Sequence, residues 1–200
     1  MDSRSTFVDF KFKGERDYVH GTDLFNQCLK LVLPAETFDL KFTFHGFIVN
    51  PRCEIRVFSE KPSTTKSKFR GEFRVYNQKY WIQVHERVDE GFTAAREPYN
   101  ENRVVGNCVI SATSIELHHP SPFSFIETVV AMNKHMLNAC EAPRQHQKWF
   151  FTGIELDHFS EVNSDIRLQL VHNLQNKLVK SSIEVFGERI GMIYFSMVEK

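Results

Sequence analysis

Two short polar runs bring together side chains able to do chemistry, and each lies just ahead of a stretch with helical spacing. The first is Arg16-Asp17-Tyr18-Val19-His20-Gly21-Thr22-Asp23. The second is His118-His119-Pro120-Ser121-Pro122, with Glu127-Thr128 about a turn further on. A histidine beside a carboxylate can take a proton from one atom and deliver it to another. The first turn of a helix presents unpaired backbone N–H groups, which can grip an oxygen that gains negative charge. His20 with Glu127, or His119 with Asp23, would supply base and acid if the two runs face each other. Each residue also has a plainer role. His20 can bond a backbone carbonyl, and Asp23 favours a first helical turn through the helix dipole. Glu127 shares a helical face with Ala131, Lys134 and Asn138, the composition of a solvated side. Ser121, followed by Pro122, has the pattern of an N-cap and lacks the G-x-S-x-G elbow of a nucleophile.

Further basic and sulfur-bearing residues are scattered along the chain. Lys61, Lys66, Lys68 and Arg70, interleaved with Ser63-Thr64-Thr65 and Ser67, form a loop-like basic run able to attract phosphate or an acidic surface. Arg144, His146 and Lys148 form a second. The four cysteines (Cys28, Cys53, Cys108 and Cys140) include no C-x-x-C pair, and the nearby histidines lack zinc-ligand spacing. Neither a disulfide framework nor a metal site is expected, and a reducing cytoplasm is the simplest compartment.

The elements that must position these residues follow from apolar periodicity. Val8, Phe10 and Phe12 alternate with Asp9 and Lys11, predicting a strand with one buried face. Leu24, Phe25, Cys28, Leu29, Leu31 and Val32 have helical spacing, with Thr22 as N-cap and Pro34 as the stop. Phe38 to Val49, Glu54 to Phe58 and Phe69 to Val88 read as extended, the last turning at Asn77-Gln78. Residues 89–107 are polar and turn-rich, a connector. The order then restarts: an extended Cys108 to Leu117, a helix from Ser121-Pro122 through Met136, and extended segments over 149–156, 166–171 and 178–198, the last turning at Gly187-Glu188. Phe73, Val75 and Ile82 lie 110 residues before Ile183, Val185 and Met192. Leu24, Phe25, Cys28 and Leu29 lie 101 residues before Phe125, Ile126, Val129 and Val130, so an insertion near 141–148 separates the two offsets. The chain therefore reads as two halves, 1–88 and 108–200.

Composition narrows the classes. The 200 residues carry 25 Lys+Arg against 25 Asp+Glu, a formal net charge of zero that argues against broad nucleic-acid binding. A hydrophobic fraction of 42% with 19 Phe supplies a sizeable globular core. No apolar run reaches the ~20 residues of a membrane helix.

One helix followed by a meander of strands, twice over, resembles the hotdog superfamily, an α+β fold in which a curved antiparallel sheet wraps a central helix. Two in one chain resemble a tandem double hotdog. The run around His20 loosely resembles the thioesterase segment in which Asp, Gly-His and Asn precede the helix, although here the order is His20-Gly21 and Asn26 falls within the helix. The dehydratase signature, a His followed by spaced Gly and Pro, is not matched at His20. The resemblance implies an enzyme acting on an acyl thioester of coenzyme A or acyl carrier protein, with hydrolysis favoured over dehydration of a 3-hydroxyacyl group. It implies His20, Asp23, Glu127 and His119 as catalytic residues, and Tyr18, Gly21, Ser121, Lys66, Lys68 and Arg70 as substrate contacts. No cofactor or metal is implied, nor a nucleic-acid or membrane partner, and the chain would act as a pseudo-dimeric monomer or a homodimer. Two other readings compete. A non-catalytic acyl or partner binder gains from the mismatches to both signatures. A tandem ferredoxin-like RNA-binding protein would need two helices in each half, where only one is found.

Overall fold

The computed structural model describes residues 4–32, 37–63, 66–87, 94–159, 162 and 164–199. Pro34, Thr64, Thr65 and residues 89–93 of the expected connector lie outside them. The chain divides into two compact units, Met1–Tyr99 and Asn100–Lys200.

The first unit is one long helix and a five-stranded antiparallel sheet. Its elements are β1 (Arg4–Asp9), β2 (Phe12–Lys13), α1 (Gly21–Val32), β3 (Thr37–Phe44), β4 (Arg52–Phe58), β5 (Phe69–Val75), β6 (Gln78–Glu86) and β7 (Arg96–Glu97), with sheet order β1-β4-β6-β5-β3. Leu24, Phe25, Cys28, Leu29 and Val32 recur at helical spacing and are all buried. Phe25 meets Phe42 edge-on at 4.8 Å, and Phe42 stacks on Phe69 at 5.4 Å. Burying rings of this kind stabilises the unit by roughly 1.5–3 kcal/mol each. Gly71 belongs to the same contact, because a Cβ there would fall 2.6 Å from the Phe42 ring.

The initial alternation does not run on as one strand. β1 ends at Asp9, and Phe12–Lys13 leave the sheet to pair in parallel with Arg96–Glu97 of β7. Part of the expected connector is thus built into the first unit. Thr22 lies inside the first turn of α1 instead of capping it, since the helix already begins at Gly21.

The second unit contains α2 (Asn102–Val105), β8 (Val109–Ile110), β9 (Ser114–Leu117), α3 (Phe125–Cys140), β10 (Gln147–His158), β11 (Ile166–Leu174), β12 (Leu178–Val185) and β13 (Glu188–Glu199). Its strands lie in the order β10-β13-β12-β11-β9-β8. The apolar stripe of α3, including Ile126, Val129, Met132 and Met136, is fully buried. The helix starts at Phe125 with Ser124 as N-cap, three residues beyond the expected Ser121-Pro122 start.

The units match in chain order but not in strand position. Val75 pairs with Gln78 and Val185 with Glu188, so the two hairpin turns fall on Tyr76-Asn77 and Phe186-Gly187. Each is one residue earlier than expected, and Tyr76 and Phe186 share a positive φ, 50° and 51°. Yet β4 pairs with β6, whereas β11 pairs with β12. Loop length explains the exchange. Residues 175–177 form a tight turn in which Gln175 and Asn176 have positive φ, obliging β11 and β12 to be neighbours. Residues 59–68 are long enough to pass β6 and deliver β5 to its far side.

Candidate active site

The head of α1 is built by the β2–β7 ribbon. Gly14, at φ +57°, turns the chain after β2. Arg96 Nη1 then donates to the carbonyls of Gly14 and Arg16, each at 3.0 Å, and its Nη2 meets Asp17 at 2.6 Å. The Val19 amide donates to Ile48 O at 2.8 Å, fixing His20 as the last residue before the helix. The His20 carbonyl accepts from Asp23 N at 3.0 Å and Leu24 N at 3.3 Å. The amides of Gly21 and Thr22 come ahead of these and have no helical carbonyl behind them.

A buried polar cluster results. His20 is 8% exposed, and its Nδ1 lies 2.6 Å from Thr22 Oγ1, itself fully buried. When Nδ1 donates to that hydroxyl, Nε2 carries the lone pair and is the basic nitrogen. Lys13, only 5% exposed, binds Asp23 Oδ1 through Nζ at 2.5 Å. Tyr99 is the hub: its ring lies 5.4 Å from the His20 ring, 5.0 Å from Lys13 Nζ and 5.1 Å from the Arg16 guanidinium. Tyr18 packs on Phe47 at 4.6 Å. The cluster therefore combines an imidazole, a fixed ion pair and a helix start, which together can hold an oxyanion and move a proton.

The head of α3 is put together differently. Ser124 Oγ accepts from Glu127 N, while Glu127 Oε2 accepts from Ser124 N at 3.1 Å and Ser124 Oγ at 2.8 Å, a complete capping box. Ser121 Oγ accepts from Phe123 N at 3.2 Å and Thr128 Oγ1 at 2.9 Å, locking the entry to the helix. His119 is exposed, and its neighbour His118 lies 3.4 Å from Glu116. His20, Gly21, Asp23 and Tyr18 thus meet at one helix head in the first unit. Glu127, His119 and Ser121 belong to the second.

The basic run also divides. Lys68 Nζ is paired with Glu86 at 2.6 Å, Lys66 is exposed, and Arg70 lies on the sheet face opposite α1. Lys13, Thr22 and Tyr99 were not foreseen as site residues. Lys13 follows the end of the alternating run and Tyr99 lies in the expected connector, so neither carries a local signal. Among the described residues no group of three or more His, Cys, Asp or Glu could hold a metal ion, and no helix is long and apolar enough to cross a membrane.

No family model matches the chain, and no curated protein matches its sequence. Solved structures do match. A structure assigned as a thioesterase from Novosphingobium aromaticivorans superposes with a TM-score of 0.51 at 10% identity, covering 100% of this chain and 96% of that one. The tesB protein of Mycobacterium avium subspecies paratuberculosis gives 0.54 at 10% identity, covering 98% and 93%. The dehydratase domain from the CurJ module of curacin polyketide synthase gives 0.53 at 9% identity, covering 98% and 92%. These neighbours are hotdog-fold proteins. This chain has the hotdog fold. The large antiparallel content and few helices described above fit that fold.

Proposed function

We propose that this hotdog protein processes acyl thioesters of coenzyme A or acyl carrier protein, as a tandem double hotdog, with hydrolysis as its reaction. The carrying observation is His20, buried beside Thr22 at the head of α1. In this reading Nε2 of His20 takes a proton from water, and the Gly21 and Thr22 amides steady the oxyanion that forms when hydroxide adds to the thioester carbonyl. The tetrahedral adduct then collapses with expulsion of the thiolate, which takes up a proton. The Asp23–Lys13 pair favours hydrolysis over dehydration. Its hydrogen bond uses the charged carboxylate, whereas dehydration needs an acid that carries a proton to the leaving hydroxyl. Tyr18, Arg16 and Tyr99 border the same cluster and would contact the substrate.

The roles expected of Glu127 and His119 pair each with a residue of the other unit. With the Glu127 carboxylate engaged in capping and His119 on an exposed loop, the reading assigns the base to His20 and leaves Glu127 to be tested by substitution. The test is a panel of acyl-coenzyme A and acyl-carrier thioesters, followed by thiol release and by enoyl absorbance. Thiol release that drops about 10²–10⁴-fold in His20→Gln is the expected result. Absence of both products on every substrate, or an unchanged rate in His20→Gln, overturns it. The engagement of both helix carboxylates, Asp23 by Lys13 and Glu127 by Ser124, favours one other reading: an acyl binder without turnover. Acyl cargo in native mass spectrometry with no product would establish that instead.

A further inference from the structure

The face of the first unit's sheet that points away from α1 should be a plain solvated surface, yet it carries a pocket of about 290 Å³. Its floor follows from register. Thr43, Arg70 and Gln83 lie side by side across β3, β5 and β6, and Lys41, Glu72 and Trp81 form the next row on the same face. Two strand spacings by one same-face repeat make a floor of roughly 10 Å by 7 Å. The wall is Lys61-Pro62, from the segment that joins β4 to β5. That loop is tied down at both ends. Gln78 Nε2 donates to Ser59 O at 3.2 Å, and the buried Ser67 donates through Oγ to Val84 O at 2.7 Å. The second unit, with its tight 175–177 turn, has no equivalent loop.

The lining is chemically mixed in a specific way. Lys41, Lys61 and Arg70 bring three cations, against the single carboxylate of Glu72, which Lys79 holds at 3.0 Å. His45, also on the lining, has a depressed proton affinity, from burial first and from the Arg70 charge second, which agrees with a positive local field. The indole of Trp81 offers a flat apolar wall, and Gln83, only 3% exposed, offers an amide at the floor. An inorganic anion alone would have no use for the indole, and an aliphatic acid no use for the amide. A volume at the lower end of the ~300–1,000 Å³ of ligand pockets suits one small molecule and not a polypeptide segment.

We propose that this pocket binds a nucleoside monophosphate group, its phosphate on Lys41, Lys61 and Arg70 and its base against Trp81. The proposal does not rest on the reaction assigned to the head of α1. Such a group could come from a free nucleotide or from the nucleotide end of coenzyme A, so calorimetry on the full chain uses adenosine monophosphate, coenzyme A, adenosine and inorganic phosphate as separate titrants. Binding of adenosine monophosphate identifies the free nucleotide, and binding of coenzyme A alone identifies the larger source. In either case Lys61→Gln and Arg70→Gln should each weaken binding at least tenfold, and adenosine and phosphate should each bind at least tenfold more weakly than the nucleotide that binds. Lys61 is exposed on a loop, so Lys61→Gln keeps the test readable if Arg70→Gln fails to fold. The proposal is overturned if neither nucleotide binds at millimolar concentration, if adenosine or phosphate binds as well as the nucleotide, or if Lys61→Gln leaves the affinity unchanged.

Discussion

Ser124→Ala and Glu127→Gln separate the structural task of the α3 head from a chemical one. Ser124→Ala removes the acceptor of the Glu127 amide, at 3.4 Å, and the hydroxyl donor to Oε2, at 2.8 Å, while leaving the Ser124 N to Oε2 contact in place. N-cap replacements of this kind cost about 0.5–2 kcal/mol. The long 3.4 Å amide contact and the partial exposure of both residues place this one near the middle, about 1 kcal/mol. A chain of 200 residues then loses about 2–4 °C in Tm. Glu127→Gln keeps an amide oxygen able to accept both bonds and gives up only a negative charge at a helix N-terminus, worth about 0.3–1 kcal/mol.

Circular dichroism melts and turnover on the best substrate of the thioester panel, run on the same preparations, read the two effects apart. Ser124→Ala should lower Tm with no change in kcat. Glu127→Gln should shift Tm by no more than Ser124→Ala does, and leave kcat within a factor of three. A fall in kcat of a hundredfold or more in Glu127→Gln at an unchanged Tm would show the carboxylate acting on substrate and would refute a purely capping role. An unchanged Tm in Ser124→Ala would refute the energetic one.

Four other outcomes are expected. Lys13→Met strands the partly buried Asp23 and should cost roughly 2–4 kcal/mol in urea unfolding, below the ~3–5 kcal/mol of a fully buried pair, while Lys13→Met with Asp23→Leu should recover most of it; no recovery would mean the pair is not what is lost. Gly191→Ala drives a Cβ into the Glu155 carbonyl and the Leu156 side chain across the β10–β13 ladder, and should cost about 3 kcal/mol or more, with a normal melt counting against the register. Burial pushes Cys28 well up, Cys53 to about 12 and Cys108 to about 11, so a thiol reagent at neutral pH should label the exposed Cys140 first, and rapid labelling of Cys28 would refute the packing. Stability should fall in two stages on acidification. His45 and His85 sit below 6.5, chiefly through burial, so the unfolded chain takes up their protons first as pH drops below that value. Burial pulls Glu86 up, but Lys68 and the amides of Val49 and Asn50 outweigh it and hold it below 4.5; its stabilisation is present above that value and lost as pH falls through the lower, folded one. In urea titrations, stability that stays flat as pH falls from 6.5 to 4.5 would contradict the first stage, and stability that falls no further below 4.5 would contradict the second.

What could be read from sequence was whatever local periodicity determines. Leu24 through Val32 announced α1 because the buried stripe alone sets that spacing, and the offset near 110 found the matching hairpins because Tyr76 and Phe186 turn the chain at equivalent points. The head of α3 was misplaced by three residues because Ser121-Pro122 satisfies the start pattern as well as Ser124 does. The difference lies in Glu127, whose side chain reaches back to Ser124 but also satisfied the expectation of a solvated face. Lys13 and Tyr99 carried no periodic signal at all. They reach α1 only through the parallel pairing of residues 12–13 with 96–97, a contact between segments more than eighty residues apart that no local window contains. The exchange of strands in the second unit escaped for a related reason. Pattern identifies a strand by its faces, whereas its neighbour in the sheet is decided by the loop that delivers it.

The two helix heads solve the same problem, orphan amides at an N-terminus, at different cost. At α3 a serine and a glutamate satisfy the helix start with half-exposed groups and no charge taken far from water, the inexpensive solution available to any helix. At α1 that solution is absent. An imidazole and an ammonium are instead carried into the protein, His20 at 8% and Lys13 at 5% exposure, with Asp23 spent on neutralising the lysine. Replacing a buried ion pair by apolar side chains is often neutral or stabilising, so stability alone does not account for keeping one there. The pair fixes Asp23 in the first turn of the helix, and Lys13 and His20 both lie against the Tyr99 ring. A group oriented this tightly at a helix start suits the thioester hydrolysis we propose, and it supports assigning that proposed chemistry to the first unit.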